Sequence, residues 1–397
     1  MTDQPPPLPP GQQPPDPGPP PRDPAVLHVT EQTRTYPCPN CGGTLVYDPE
    51  PAALKCIHCG TVVAVTPDVA QPARIGKREL ASTMAQLARL QANAKTRVSG
   101  DKEVVCQNCG GHTMFTGTFT AVRCPFCNTP IQRSDVQDAP TRLPIDGVLP
   151  LRINEKDARV RIEQWINSRR FAPNAFKKYR ELGSFSSIYL PYFSYDAATT
   201  TRYTGMRGIY RTETYRDSEG RTQTRTVTDW YPAAGVVNNQ FEDVTGHASD
   251  GLDDQKITEL EPWPMDWSHQ YSPQFVAGHL SRTYDWDASQ VFERFVEPRM
   301  ESVIDATIRA DIGGNVQQIH SRDINWLMVR FCQLALPVWM LTVTYKQKPF
   351  QVVINGVTGE VQGRRPWSAV KITFAVIVGL LLVLLVVWLV QTYGGEA

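Results

Sequence analysis

Four Cys-x-x-Cys pairs constrain this chain more than any other feature of it. Cys38 and Cys41 form the first pair and Cys56 and Cys59 the second, with 14 residues between them. Cys106 with Cys109 and Cys124 with Cys127 repeat the arrangement at the same spacing, shifted by 68 positions. Eight of the nine cysteines thus belong to one pattern used twice. Regular pairs followed by a long cysteine-poor region favour metal over disulfides. A single pair would also suit a redox dithiol, but two paired sets at one spacing argue for zinc. Four thiolates complete a tetrahedral site with Zn–S bonds near ~2.3 Å and leave no open position for water or substrate. The expected cofactor is therefore Zn2+, as two structural ions.

The residues beside the cysteines predict the local fold. CPNCGG and CIHCG place glycine directly after the second cysteine of each pair. Glycine accepts positive φ there, so the turn can wrap and aim backbone N–H groups at sulfur. Two such knuckles on β-hairpins form a zinc ribbon, expected over 34–66 and again over 102–135, where CQNCGG and CPFCN recur. A module of about 30 residues cannot hold itself together by apolar burial. Zinc binding contributes roughly 10–16 kcal/mol in such peptides and replaces the missing core. His58 and His112 lie near complete thiolate sets, so they read as outer neighbours or exposed side chains rather than ligands.

Around these modules the chain divides readily. Residues 1–33 form a Pro-rich tail, with 12 prolines in the first 24 positions. It reads as a disordered polyproline spacer, or as a ligand for a proline-recognising groove. No secretory signal is expected in it. Residues 67–101 read as a helical linker. Leu80, Met84, Leu87 and Leu90 make an apolar stripe at helical period over 77–95, which packs on its own domain or pairs with another helix. Seven basic residues (Arg74, Lys77, Arg78, Arg89, Lys95, Arg97, Lys102) face four acidic ones (Asp68, Glu79, Asp101, Glu103). That is a weak nucleic-acid signal, and the zero net charge adds no global field to it.

Residues 140–366 read as one larger α+β domain. Val148–Arg152 predicts a strand and Glu155–Arg169 a helix. Ser187–Tyr195 (SIYLPYFSY) predicts a buried strand. Arg202–Arg216 and Arg221–Tyr231 predict a hairpin closed by Asp217-Ser218-Glu219-Gly220. Ala288–Ile312 predicts a second helix with Gly313 at its C-terminal cap. Leu334–Tyr345 and Phe350–Ile354 predict a terminal hairpin, with Asn355-Gly356 as the turn after it. Phe331–Tyr345 is apolar but short, contains Pro337 and alternates, so it reads as a buried strand, with Cys332 a buried apolar thiol. Ile372–Val390 is different: 19 residues without charge. At ~1.5 Å per residue they span about 28 Å, close to the ~30 Å hydrocarbon core. Arg364, Arg365 and Lys371 flank its N-terminal side and predict a cytoplasmic body on a single-pass, tail-anchored chain in the cell membrane. The fold expected is α+β: two β zinc ribbons, a larger α+β domain and one C-terminal transmembrane helix.

Enzyme motifs are missing from the sequence. GxxxxGK[ST], DExD/H, HExxH and GxSxG do not occur. His269 and His279 near Asp266, Asp285 and Asp287 are the one place where a second metal or catalytic site is conceivable. No catalytic residue is assigned.

The stretches CPNCGG, LPYFSYDA, WYPAAG, DIGGNVQQI, LPVW and INGVTGEVQGRRPWS, running into the apolar segment, carry a resemblance. The ribbons resemble TFIIB-type zinc ribbons. Residues 35–390 resemble a bacterial family of membrane-anchored double zinc-ribbon proteins, often labelled primosomal protein N′ (replication factor Y), superfamily II helicase. This sequence departs from a helicase in lacking both nucleotide motifs, so the resemblance does not bring ATPase activity with it. It implies flotillin-like and phage-shock-like partners in membrane-stress modules. The expected function is a non-enzymatic adaptor at the membrane that binds cytoplasmic or membrane proteins. The alternative is a primosome-like protein binding nucleic acid at the membrane through its ribbons.

Overall fold

The structure is a computed structural model that describes residues 33–34, 36–92, 102–105, 112–115, 119–123, 130–133, 143–173, 183–250, 252–345 and 348–393. The Pro-rich stretch up to residue 32 lies outside the described residues, as do Cys106, Cys109, Cys124 and Cys127.

After β1 (Thr33–Arg34), the first cysteine set is carried by three short antiparallel strands, β2 (Leu45–Asp48), β3 (Ala53–Cys56) and β4 (Val62–Val63). The linker then forms β5 (Arg78–Glu79) and α1 (Leu80–Ala92). The expected helix start at Lys77 is displaced because Arg78 and Glu79 pair as a strand with Phe331 and Arg330. The Glu79 carboxylate then accepts the Ala81 and Ser82 N–H groups and starts the helix. Leu80 and Leu87 are buried against Ala288, Val291 and Phe292, so the stripe packs on its own body.

The second cysteine region contributes β6 (Lys102–Val105) paired with β7 (His112–Phe115), and β8 (Phe119–Arg123) paired with β9 (Pro130–Arg133). Its register repeats the first module 68 residues later. Pro37↔Thr44 becomes Val105↔His112, and Leu54↔Val63 with Lys55↔Val62 becomes Val122↔Ile131 with Arg123↔Pro130.

In the larger region, β10 (Gly147–Val148) is shorter than expected, since Pro150 has no N–H to continue a ladder. It precedes α2 (Glu155–Ser168), capped by the Asn154 side chain on the Asp157 N–H at 2.8 Å. The expected buried strand and the first hairpin arm are one continuous strand, β11 (Gly183–Arg216), paired with β12 (Thr222–His247). Asp217 closes the turn by accepting the Glu219 and Arg221 N–H groups. Short elements α3 (Asp254–Thr258), β13 (His269–Gln270) and β14 (Leu280–Arg282) follow. The second helix, α4, runs Ala288–Val291, a π turn Phe292–Val296, then Glu297–Ile312, and ends at Gly313 as expected. The terminal hairpin is β15 (Val316–Tyr345) with β16 (Lys348–Asn355), extended by β17 (Val361–Gly363). Last comes the apolar helix α5 (Ala369–Tyr393).

One 12-stranded sheet, counted among the described residues, joins most of these strands in the order β1-β9-β8-β14-β11-β15-β10-β13. β12 adds to β11, β5 and β16 add to β15, and β17 adds to β16. Where SIYLPYFSY crosses it, both faces are covered. Tyr189 joins the core around Ile162 and Ile166 of α2, while Leu190 and Tyr192 join the core with Ile257 and Trp263. That double coverage explains the nearly continuous apolar run. Toward the far end cover is lost. β15 begins opposite Gly208, and beyond it, among the described residues, β11 and β12 pair only with each other from Ile209↔Asp229 to Arg216↔Thr222. Tyr210, Tyr215, Trp230 and Tyr231 are exposed in and beside this arm. Ion pairs Arg211–Asp229 (2.9 Å) and Arg225–Glu213 (2.8 Å) tie its strands.

A charge clamp fastens the linker. A register shift between Tyr195 and Ala197 presents Asp196, and Asp243 opposite adopts φ 51°. Lys77 Nζ donates to Asp196 and, at 2.6 Å, to Asp243 Oδ1. Arg78 pairs with Asp146 at 2.7 Å. Two of the seven linker cations that hinted at nucleic acid are therefore paired within the fold.

Removing one member of a mostly buried ion group leaves the others uncompensated. Lys77→Met is expected to destabilise the chain by about 2–3 kcal/mol, read as a lower thermal midpoint of the detergent-solubilised protein. An unchanged midpoint would show the clamp to be inert. Asn355 is fully buried, accepts the Val357 and Thr358 N–H groups and donates to Leu260 O. Asn355→Ala is expected to cost about 2–3 kcal/mol in the same assay, because three backbone groups, two of them in buried hydrogen bonds, lose their partner.

Candidate metal centre

The first cysteine set assembles as its spacing predicts. The sulfurs of Cys38, Cys41, Cys56 and Cys59 all lie within 4.8 Å of one another. Cys38 Sγ is 3.6 Å from Cys59 Sγ, and Cys41 Sγ is 3.6 Å from Cys56 Sγ. A disulfide needs about 2.05 Å, so these cysteines are free thiols. A tetrahedron with ~2.3 Å metal–sulfur bonds has edges of about 3.8 Å. The four sulfurs fit one ion of zinc size.

Local backbone geometry creates this arrangement. In each knuckle a tight turn returns to the first cysteine: the Gly42 N–H donates to Cys38 O at 2.9 Å, and the Gly60 N–H to Cys56 O at 3.0 Å. Gly42 and Gly60 have φ +69° and +74°, the region that disfavours any Cβ. The β2–β3 ladder pairs Leu45 with Cys56 and brings the knuckles face to face. Cys38 and Cys56 are buried, while Cys41 and Cys59 are exposed.

Hydrogen bonds at the rim tune the thiols. The Thr61 hydroxyl lies 3.0 Å from Cys59 Sγ, and Asn40 Nδ2 donates toward the same sulfur at 3.9 Å. The Thr61 hydroxyl and N–H pull the Cys59 thiol down to about 5. For Cys41 the Gly43 N–H acts downward, but the crowding sulfurs of Cys59 and Cys56 outweigh it and raise the thiol to about 12. A cation at the centre of four sulfurs would remove that competition by drawing all four toward thiolate. His58 is exposed and stands outside the sulfur set, as expected. The side chain of His112 lies outside the described residues.

The module is not the nearly coreless head that its length predicts. Cys38, Leu45, Tyr47, Leu54, Cys56 and Val65 share a buried core with Val148, Leu151, Ile162 and Phe275 of the larger region. The docking strip is 273–282, which the sequence reading singled out only for its histidine. The Tyr47 N–H donates to Ala277 O at 2.9 Å, and Tyr47 packs edge-on against Phe275 at 5.6 Å. Gln274 bonds both the N–H and the hydroxyl of Thr66. Gly278, at φ +84°, lies so close to Val46 that a Cβ would meet it at 2.6 Å. The same strip receives the second cysteine region. Ser281 and Arg282 of β14 pair with Ala121 and Phe119, and Gln132 donates to Pro273 O at 3.2 Å. β1 pairs with β9, so the start of one module is bound to the end of the other. No short motif marks this strip in the sequence; its role arises from pairing across 141 positions (Gln132–Pro273) to 230 positions (Tyr47–Ala277).

The suspected histidine–aspartate site does not assemble. His279 bridges Ser187 Oγ (2.6 Å) and Tyr47 O (3.1 Å), joining module to sheet. His269 lies 2.9 Å from Val69 O. Asp285 holds Arg282 and the Asp250 N–H, and Asp287 caps α4. Asp266 lines a different cavity, of about 590 Å³, with Lys77, Asp196, Asp243 and Arg330, and neither histidine reaches it. Cys332 is buried as expected, and burial pushes its thiol up to about 12.

A Bacillus subtilis (strain 168) protein described as "Uncharacterized protein YdjG" is 24% identical to this chain over 344 residues, which cover 85% of this chain and 92% of that protein. No family model and no solved structure matches the chain.

Proposed function

We propose that this protein is a membrane-anchored, non-enzymatic adaptor. It carries two structural four-cysteine zinc ribbons on the cytoplasmic side of a membrane entered by α5, and binds cytoplasmic or membrane proteins. The observation that carries this reading is the closed four-sulfur constellation of Cys38, Cys41, Cys56 and Cys59. Four sulfurs satisfy a tetrahedral ion completely, which makes its role structural. The second ion, on Cys106, Cys109, Cys124 and Cys127, is supported by the strand register that repeats at an offset of 68. Anchoring is supported by Ala369–Trp388, a helix long and apolar enough to cross a membrane and uncovered by the rest of the protein. Arg364, Arg365 and Lys371 on its N-terminal side favour a cytoplasmic body. The resemblance to membrane-anchored double zinc-ribbon proteins belongs to the same reading. The knuckle tip offers Ile57 and Val62 to solvent beside Cys41 and Cys59. The nucleic-acid alternative loses part of its motive, since Lys77 and Arg78 are engaged by Asp196, Asp243 and Asp146.

Metal analysis of the full chain is expected to find about two zinc ions, and about one for Cys38→Ser. A wild-type content of one would confine the site to the first set; none would remove the centre. Acidification is expected to release the ions, because protons compete for the sulfurs. Thr61→Val removes the hydroxyl beside Cys59 and is expected to weaken zinc retention roughly tenfold against a competing chelator. Crosslinking from native membranes, read by mass spectrometry, is expected to recover a specific protein partner that Cys38→Ser loses. Recovery of no specific protein would overturn the adaptor reading, and salt-sensitive retention of nucleic acid in its place would favour the alternative.

A further inference from the structure

The root of α5 carries a group of cations that neither the cysteine centre nor the sheet uses. The end of α2 supplies Trp165 and the residues just after it Arg169, Arg170 and Phe171, while the approach to α5 supplies Arg364, Arg365 and Trp367. The two stretches are locked together. The Ser368 N–H donates to Phe171 O at 2.9 Å, and Lys371 Nζ donates to Ala172 O at 2.8 Å and to Arg170 O at 3.4 Å. Two of the guanidiniums lie over aromatic rings: Arg169 over Trp165 at 4.5 Å, and Arg365 over Trp367 at 4.4 Å. Phe171 and Trp367 pack at 6.5 Å and are both exposed.

Arg364 has a counterion, Asp253. Arg169, Arg170 and Arg365 form no ion pair among the described residues, and Arg169 Nε is buried without a hydrogen-bond partner. Burial, and then the nearby Arg365, lower the pKa of the Arg169 guanidinium, as expected where like charges are held close. Unpaired arginines gathered at one place form a site for oxyanions, since guanidinium donors match phosphate oxygens. Its place in the fold selects the source of phosphate. Ala369, the first residue of α5, follows Trp367 by two positions, so in a bilayer this cluster stands at headgroup depth. Exposed tryptophan and phenylalanine suit that depth as well.

We propose that Arg169, Arg170 and Arg365, flanked by Trp165, Phe171 and Trp367, bind anionic phospholipid headgroups of the leaflet that α5 enters. This rests on the anchoring reading and adds to it. The anchor alone tethers the body, whereas the arginine cluster presses the end of α2 against the bilayer and fixes which way the cysteine modules and the β arm point.

The test uses the full chain reconstituted in vesicles of phosphatidylcholine with one-fifth phosphatidylglycerol. After gentle detergent extraction, the two lipids that co-purify are quantified by mass spectrometry. Each cation near an anionic surface is worth about 5-fold. Phosphatidylglycerol is expected to be enriched roughly tenfold or more over the bulk ratio. Arg169→Gln with Arg170→Gln and Arg365→Gln should return the ratio close to bulk, while the corresponding triple lysine variant keeps most of the enrichment. A bulk ratio in the wild type, or unchanged enrichment in the glutamine variant, overturns the proposal. Flotation after an alkaline wash separates the two readings. A chain that floats without enrichment refutes the headgroup site alone, and one that does not float refutes the anchor and the site together.

Discussion

The antiparallel ladder between β11 and β15 is the constraint on which everything else in this protein rests. It runs from Gly183↔Val343 to Gly208↔Val316, with two register shifts. At ~3.3 Å per residue, a 34-residue strand approaches about 110 Å. Such a strand cannot be covered evenly. Near its start it is enclosed by α2 on one side and by Ile257 and Trp263 on the other. In its middle α4 covers one face, with Tyr203 donating to Asp311 at 2.5 Å. At its far end, among the described residues, only β12 pairs with it. The composition follows this gradient: SIYLPYFSY where both faces are buried, then threonine and charge where both are wet.

The cysteine modules attach at the enclosed end. β14 pairs in parallel with β11 and antiparallel with β8, so it links the second cysteine region to the ladder, while Ala277, Gly278 and His279 just before it grip β2. The consequence is energetic coupling. Cys38 and Cys56 are buried in the same core as Leu151 and Ile162. Disturbing the sulfur centre therefore disturbs packing beyond the module, and disturbing the strip 273–282 disturbs both modules together. An ion held by these four sulfurs would stabilise a junction as well as a small fold.

The apolar helix follows β17, which joins the ladder through β16 beside Val338–Tyr345 of β15. It is tied to α2 through Lys371 and Ser368, and α2 packs in the core shared with the first module. A path of contacts thus runs from the root of the helix, through its hydrogen bonds to the backbone just after α2, to the core that holds Cys38 and Cys56. The stretch anticipated as a linker, with its Lys77 clamp and its β5 strand, is part of the body.

Much was legible in the sequence wherever chemistry is local. Spacing alone brought Cys38, Cys41, Cys56 and Cys59 together as one cluster, and marked the glycines after Cys41 and Cys59 as positive-φ turns, because knuckle geometry depends on a few adjacent residues. The apolar run before the C-terminus, the cap at Gly313 and the Asp217 turn were legible for the same reason. Tertiary structure alone decided that β11 is one strand and not two, that Asp196 and Asp243 face Lys77, and that 273–282 receives both modules. It also decided that His269 and His279 are brackets for backbone carbonyls and not a joint site. Those outcomes depend on contacts between positions 92 (Ser187–His279) to 232 (Tyr47–His279) residues apart. Periodicity and spacing describe a residue's neighbours along the chain and carry no information about which distant strand it will meet.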